Sequence, residues 1–191
     1  MIRLLALLLA ACLFVPSTSA QTTRPDLTRF RAFADPMVGE WDVTIRDLDE
    51  SGAVTWEGRQ RRLFAYILAD EFLEERALVH SPSLGRAVVA RLHIASYDPD
   101  ANHFMQQGFW PGSPGVLFDV SAELAADNRR ADGTITMPRE TGVRASRRIE
   151  IVWTGPDEFT YRVFARRSGA SEFVNEELIY RRARGASPAS P

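Results

Sequence analysis

Three histidines, two neighbouring runs of alternating charge and the pairs Glu74-Glu75 and Glu176-Glu177 are the places where this chain carries groups able to do acid–base or ligand chemistry. His80, His93 and His103 fall on three successive stretches of extended pattern, so three imidazoles could converge on a metal ion. No pair has His-x-His or His-x-x-x-His spacing, and no metal site is expected. By alternation His93 shares a face with Val89, Arg91 and Tyr97, whereas Val88, Ala90, Leu92 and Ile94 make an apolar face. The apolar face belongs against a core, which sends His93 outward.

The charged runs come next. Along 54–67, Trp56, Gly58, Gln60, Arg62, Phe64 and Tyr66 share one face, with Glu57, Arg59, Arg61, Leu63 and Ala65 on the other. The aromatic face should point inward and carry Gln60 and Arg62 with it. Along 71–80, Phe72, Glu74, Arg76 and Leu78 oppose Leu73, Glu75, Ala77 and Val79, and the pattern does not choose between them. If Phe72 points in, Glu74 and Arg76 join Arg62 in a buried cluster, where charges must pair or meet a polar ligand. The other reading places them in cross-strand ion pairs on a solvated face. In 171–182 one glutamate of Glu176-Glu177 points inward in either register. An inward Glu can act as a general acid or base with a raised pKa, or as the partner of an inward Arg. Adjacent strand residues face opposite ways, so neither Glu74-Glu75 nor Glu176-Glu177 forms a dyad by itself.

Aromatic and polar positions further along, namely Phe104, Gln106, Trp110, Phe118, Trp153, Phe159 and Tyr161, have the make-up of a small-molecule pocket. The loop Phe109-Trp110-Pro111-Gly112-Ser113-Pro114-Gly115 is a plausible rim. Nucleophile elbows, phosphate-binding glycine loops and zinc-protease helices are missing from the sequence. With 23 basic against 25 acidic residues, the net charge of −2 lacks the surplus of a nucleic-acid binder. Every basic residue is arginine, which rules out lysine chemistry such as Schiff bases. No cofactor follows from any of these patterns.

The elements that must position these groups are strands. From Val38 onward the pattern has period two, broken by turn signals such as Glu50-Ser51-Gly52, Ser81-Pro82-Ser83, Asp98-Pro99-Asp100, Asp127-Asn128 and Gly155-Pro156-Asp157. About ten strands joined by hairpin-length turns, with no crossover helices, predict an all-β antiparallel up-and-down barrel over 37–183. Closure removes the two edges that an open meander would expose. Residues 21–36 form a lead-in whose Leu27, Phe30 and Phe33 share one side of a short helix ended by Pro36, suited to plug the barrel. Residues 184–191 are low in complexity and expected to be disordered.

Residues 1–20 read as a cleaved signal peptide: Met1-Ile2-Arg3, an apolar run from Leu4 to Val15, then Ser17-Thr18-Ser19-Ala20. Cleavage after Ala20 predicts a periplasmic or secreted protein with no transmembrane segment and no cysteine, since Cys12 is the only one. The alternative is that Leu9-Ala10-Ala11-Cys12 acts as a lipobox and makes Cys12 a lipid anchor.

Gly39-Glu40-Trp41, at the start of the first strand after a helical lead-in, resembles the opening strand of lipocalins and related calycin barrels. That resemblance implies that Trp41 packs across the barrel floor, entered through Gly39, under an arginine from the last strand, Arg181 or Arg182. The longer pattern is similar to a bacterial domain-of-unknown-function family with a lipocalin-like barrel. It is carried by Val38-Gly39-Glu40-Trp41, Phe72-Leu73-Glu74-Glu75, Tyr97-Asp98, Phe109-Trp110 and Glu176-Glu177-Leu178-Ile179-Tyr180-Arg181. A haem-binding barrel family shares the Gly-any-Trp start but needs a histidine near the C-terminus, and none follows His103.

Together these features predict a barrel that binds a small, partly apolar molecule inside. Its contacts would come from Gln60, Arg62, Phe64, Glu74, Arg76, Phe104, Gln106, Trp110 and Glu177, above a floor of Gly39, Trp41 and Arg181. Two alternatives stay open: an isomerase- or hydrolase-type enzyme using Glu177 or Glu74, and an envelope interaction module with a packed barrel. Interior volume discriminates: a cavity below about 300 Å³ counts against both the binding and the enzyme reading and favours the packed interaction module. Neither oligomeric state nor ligand identity follows from the residues.

Overall fold

A computed structural model of the chain describes residues 26–110, 118–138, 144–167 and 171–184, without the side chains at 138 and 144. The candidate signal peptide with Cys12, the rim segment 111–115 and the tail beyond 184 lie outside the described residues.

Ten strands follow a short helix. Helix α1 is Thr28–Ala34, continued by a 3-10 turn, Asp35–Met37, that accommodates Pro36. The strands are β1 (Gly39–Leu48), β2 (Val54–Ile67), β3 (Phe72–Ser81), β4 (Arg86–Asp98) and β5 (His103–Phe109). They continue with β6 (Phe118–Leu124), β7 (Arg130–Pro138), β8 (Arg144–Gly155), β9 (Glu158–Arg166) and β10 (Glu172–Arg182). Each pairs antiparallel with its neighbour in sequence, and β1 pairs with β10 to close the barrel. This is the up-and-down closure expected from consecutive hairpins.

Helix α1 plugs the end where β1 begins. Phe30 stacks on Tyr97 at 5.8 Å between ring centroids, and Phe33 meets Phe104 edge-on at 6.0 Å. Both phenylalanines are fully buried, so the helix is held by tertiary packing, as a seven-residue helix has to be. Arg29 ties it to the β6–β7 turn by donating to the carbonyls of Leu124 and Ala125. Trp41 lies beneath, its indole N–H donating to the Met37 carbonyl at 2.6 Å. Trp153 and Phe159 pack on the Trp41 ring at 5.9 and 5.0 Å.

The arginine over Trp41 is Arg182, not Arg181. Its guanidinium stands 4.5 Å from the ring centroid and donates to the carbonyls of Pro36 and Val38. Arg181 points to solvent and pairs with Glu158. Register decides this, because Trp41 is the direct cross-strand partner of Arg182. Gly39 enters the floor with φ of 121°, a conformation that L side chains rarely adopt.

Candidate functional site

The barrel is packed at its plugged half and hollow at the other. Between Met37, Phe64, Leu73, Ala95, Phe104, Ile151 and Phe159 only about 20 Å³ stays empty, little more than one water. Beyond them opens a cavity of about 210 Å³, with Ile135, Met137, Val163, Leu178 and Phe118 on its apolar walls. That falls short of the roughly 300 Å³ expected under either ligand reading, and a drug-sized ligand does not fit this space. A compact molecule does, since an apolar cavity of about 150 Å³ already takes up benzene.

A buried polar network forms the base of the cavity. Arg62 and Glu75 are 2 % and 4 % exposed, so neither charge is shared with solvent. In β2 the face carrying Arg62 and Phe64 points inward, as expected, but Trp56 at its far end is exposed. Phe64 pairs with Glu75 across the β2–β3 ladder, so β3 turns Leu73, Glu75 and Ala77 inward.

Four donors saturate the Glu75 carboxylate. Oε1 accepts from Arg62 Nη1 and, at 3.0 Å, from the Tyr180 hydroxyl. Oε2 accepts from His93 Nδ1 at 2.6 Å and from the Gln106 amide at 3.2 Å. Arg62 also donates to the Tyr180 hydroxyl at 2.6 Å and to Gln60 at 3.2 Å. Burial alone would raise the Glu75 carboxyl. The Arg62 guanidinium, and after it His93, outweigh burial and hold that carboxyl well below the usual carboxylate range. The Tyr180 hydroxyl is pushed well above its ordinary value, mainly by burial.

His93 overturns an expectation: it faces inward. Arg91, His93, Ala95 and Tyr97 line the interior of β4, and the apolar set containing Leu92 and Ile94 faces out. The cause lies in the neighbours. Glu75 is the register partner of His93 and is already inside, so alternation carries His93 and Arg91 in with it. Leu92 lies across from Arg76 and Phe109 on the outer face, where it is half-buried. His80 and His103 are exposed.

Glu74, Arg76 and Glu177 are corrections as well, because all three point away from the interior. Glu74 and Arg76 pair with each other at 2.6 Å on the outer face. Glu177 is bridged by Arg162 at 2.9 Å and Arg46 at 3.8 Å, also outside. The inward glutamate of β10 is Glu176, in line with Leu178 and Tyr180. Its carboxyl is raised, first by burial and then by Asp47, with Arg91 and Arg62 acting against the shift. Tyr161 also lines the cavity, and burial raises its hydroxyl.

Of the remaining expected contacts, Gln106 and Trp110 line the cavity, Phe64 and Phe104 belong to the packed half, and Gln60 touches the network through Arg62. Trp110 is 41 % exposed at the mouth, with the Arg91 guanidinium 4.9 Å from its ring centroid. The sequence placed Tyr161 in the pocket and left Glu74 or Glu75, and Glu176 or Glu177, as open choices; His93 and Arg91 were missed as interior groups. Only a correct face for β3, propagated by register, could have found them.

A depression of about 670 Å³ also lies along β1, β2 and β3. Its lining carries Asp42 against Arg59, Arg61 and Arg181, with Arg61 paired to Asp42 and to Glu40 and Arg181 paired to Glu158. Among the described residues no three His, Cys, Asp or Glu side chains converge as a metal site, and no helix is long and apolar enough to cross a membrane.

No family model and no curated protein matches the chain. Solved structures do. The crystal structure of Rv2717c from M. tuberculosis aligns over 84% of this chain and 98% of its own, with TM-score 0.50 and 14% identity. A redesigned β-barrel aligns over 80% of this chain and 96% of its own at TM-score 0.37 and 13% identity. Another redesigned barrel, mFAP1 bound to DFHBI, covers 79% and 99% at TM-score 0.35 and 13% identity. At such identity the likeness to Rv2717c is one of fold alone, and the two weaker ones carry no functional meaning.

Proposed function

We propose that the protein binds a small, partly apolar molecule in the open half of its barrel, without transforming it. One observation carries this reading: polar groups converge on an apolar-walled cavity of about 210 Å³ that is built into the fold. Such convergence in a concave apolar site is the usual form of a small-molecule pocket. The volume restricts the ligand to about one substituted ring. Arg91 and Trp110 stand at the mouth, where a flat or anionic end would meet them.

An enzymatic reading draws on Glu176, a buried carboxyl with a raised pKa, and on the Glu75–His93 pair. Both are features of general acid–base sites. Binding takes precedence because Glu75 is saturated by four donors and so serves as a structural anchor. We further propose, on the residue pattern alone, that residues 1–20 direct export to the periplasm or beyond, with lipidation at Cys12 as the other outcome. The lipocalin-like family placement rests on the Gly39-Glu40-Trp41 start.

A fragment panel of single-ring compounds, titrated by calorimetry, tests the binding reading. Saturable binding to the wild type, lost in Val163→Phe because the larger side chain fills the cavity, is the expected result. Equal binding by the two proteins, or none by either, would sink it. Native mass spectrometry of protein taken from its own cells would then identify a retained ligand by mass.

A further inference from the structure

The Glu75 carboxylate can only accept hydrogen bonds, so the His93 nitrogen facing it, Nδ1, carries a proton. Glu75 has one negative charge, and Arg62 already matches it. Arg91 and Glu176 add one further cation and one further carboxyl to the same wall. With its Nδ1–H held by Glu75, the neutral ring presents Nε2 as a bare acceptor.

That Nε2 atom is buried and has no hydrogen-bond partner among the described residues. It sits across the ring from the Glu75 contact, on a residue that lines the cavity, with Phe118 edge-on to the imidazole at 5.0 Å. A buried acceptor left unmet destabilises the state that contains it, and a donor entering the cavity removes that penalty. Arg62, Gln106 and Tyr180 are turned to Glu75, and none of them meets Nε2.

We infer that the ligand class is a compact ring bearing an O–H or N–H donor, a phenol or an N–H heteroarene, whose donor docks on His93 Nε2 while its ring contacts Ile135, Val163, Leu178 and Phe118. This rests on the interior-binding reading and deepens it. Glu75 is the positioning residue, since it sets the tautomer and the angle of the imidazole. A methyl ether or a bare hydrocarbon of similar size fills the same space without meeting the acceptor, and binds more weakly.

The test is calorimetric titration of the full chain with phenol, anisole and toluene, repeated on His93→Phe. Phenol should bind the wild type on the order of tenfold more tightly than either of the others. In His93→Phe the three should become equal to within about twofold. Anisole matching phenol in the wild type overturns the donor inference and leaves cavity binding standing. A phenol preference that survives in His93→Phe overturns it too, because the donor then docks elsewhere. Binding of none of the three overturns both readings. Should the variant fail to fold, imidazole nitrogen resonances of the wild type decide. Phenol, and not anisole, must shift His93 Nε2, and an unmoved resonance overturns the assignment.

Discussion

Replacing Glu75 by Gln should be among the most damaging conservative changes in this protein. The substitution keeps the shape and removes the carboxylate that pairs directly with Arg62, which is itself 2 % exposed. Breaking a buried pair by removing one partner costs about 3–5 kcal/mol, because the other charge is left without compensation. In a domain of this size 1 kcal/mol moves Tm by roughly 2–4 °C, so the midpoint should fall by roughly 6–20 °C. Arg62→Met combined with Glu75→Leu removes both charges at similar volume and should recover most of the loss. Urea titration followed by tryptophan fluorescence reads the effect, since Trp41 and Trp153 are buried near the network. The pH dependence adds a signature. A depressed carboxyl contributes stability that is present above its ordinary value of 4.5 and is lost as pH falls through the lower folded value. Wild type and Glu75→Gln should therefore converge in acid and diverge above about pH 5. A loss under about 1 kcal/mol at neutral pH, or a double variant as unstable as the two singles summed, would refute the network as described.

Glu176→Gln should do the opposite. A raised carboxyl favours the fold while protonated and opposes it once pH rises past its ordinary value, so thermal melts should show the variant more stable at pH 8 and indistinguishable at pH 4. Arg182→Ala should cost about 2 kcal/mol through its lost contact with Trp41 and two carbonyls, whereas Arg181→Ala should cost well under about 1 kcal/mol as an exposed ion pair. Equal losses in chemical denaturation would return the floor role to both arginines. Gly133→Ala should cost at least about 1–3 kcal/mol, since its Cβ would lie 2.0 Å from the Ser121 carbonyl oxygen and 2.4 Å from Ala122 Cα, both backbone of β6. An unchanged urea midpoint would show that β6 yields.

The limits of legibility are instructive at β4. Val88, Ala90, Leu92 and Ile94 form the more apolar face, and local hydrophobicity alone turns that face inward. The β3–β4 ladder turns it outward, because Glu75 and His93 are paired and the inner positions there are polar. The β3–β4 register also shifts between Ala77 and Leu78, and β10 shifts between Val174 and Glu176 against β9. Each shift moves every later residue to the other face, which simple alternation along one strand cannot anticipate. The choice of Glu176 over Glu177 and of Arg182 over Arg181 belongs to the same problem.

The residues by themselves determined a closed antiparallel meander of about ten strands, a helical plug carrying Phe30 and Phe33, and an inward Arg62, while the floor at Trp41 was implied by the resemblance of Gly39-Glu40-Trp41. The first three depend on local periodicity and turn chemistry, which act over a few residues and are written in order along the chain. Only the tertiary structure decided that Arg62 meets Glu75, that His93 and Glu176 turn inward, and that the barrel is hollow at one end. Those outcomes depend on register between strands and on the closing of β1 against β10. In a ladder of period two, a shift of one residue exchanges inside for outside.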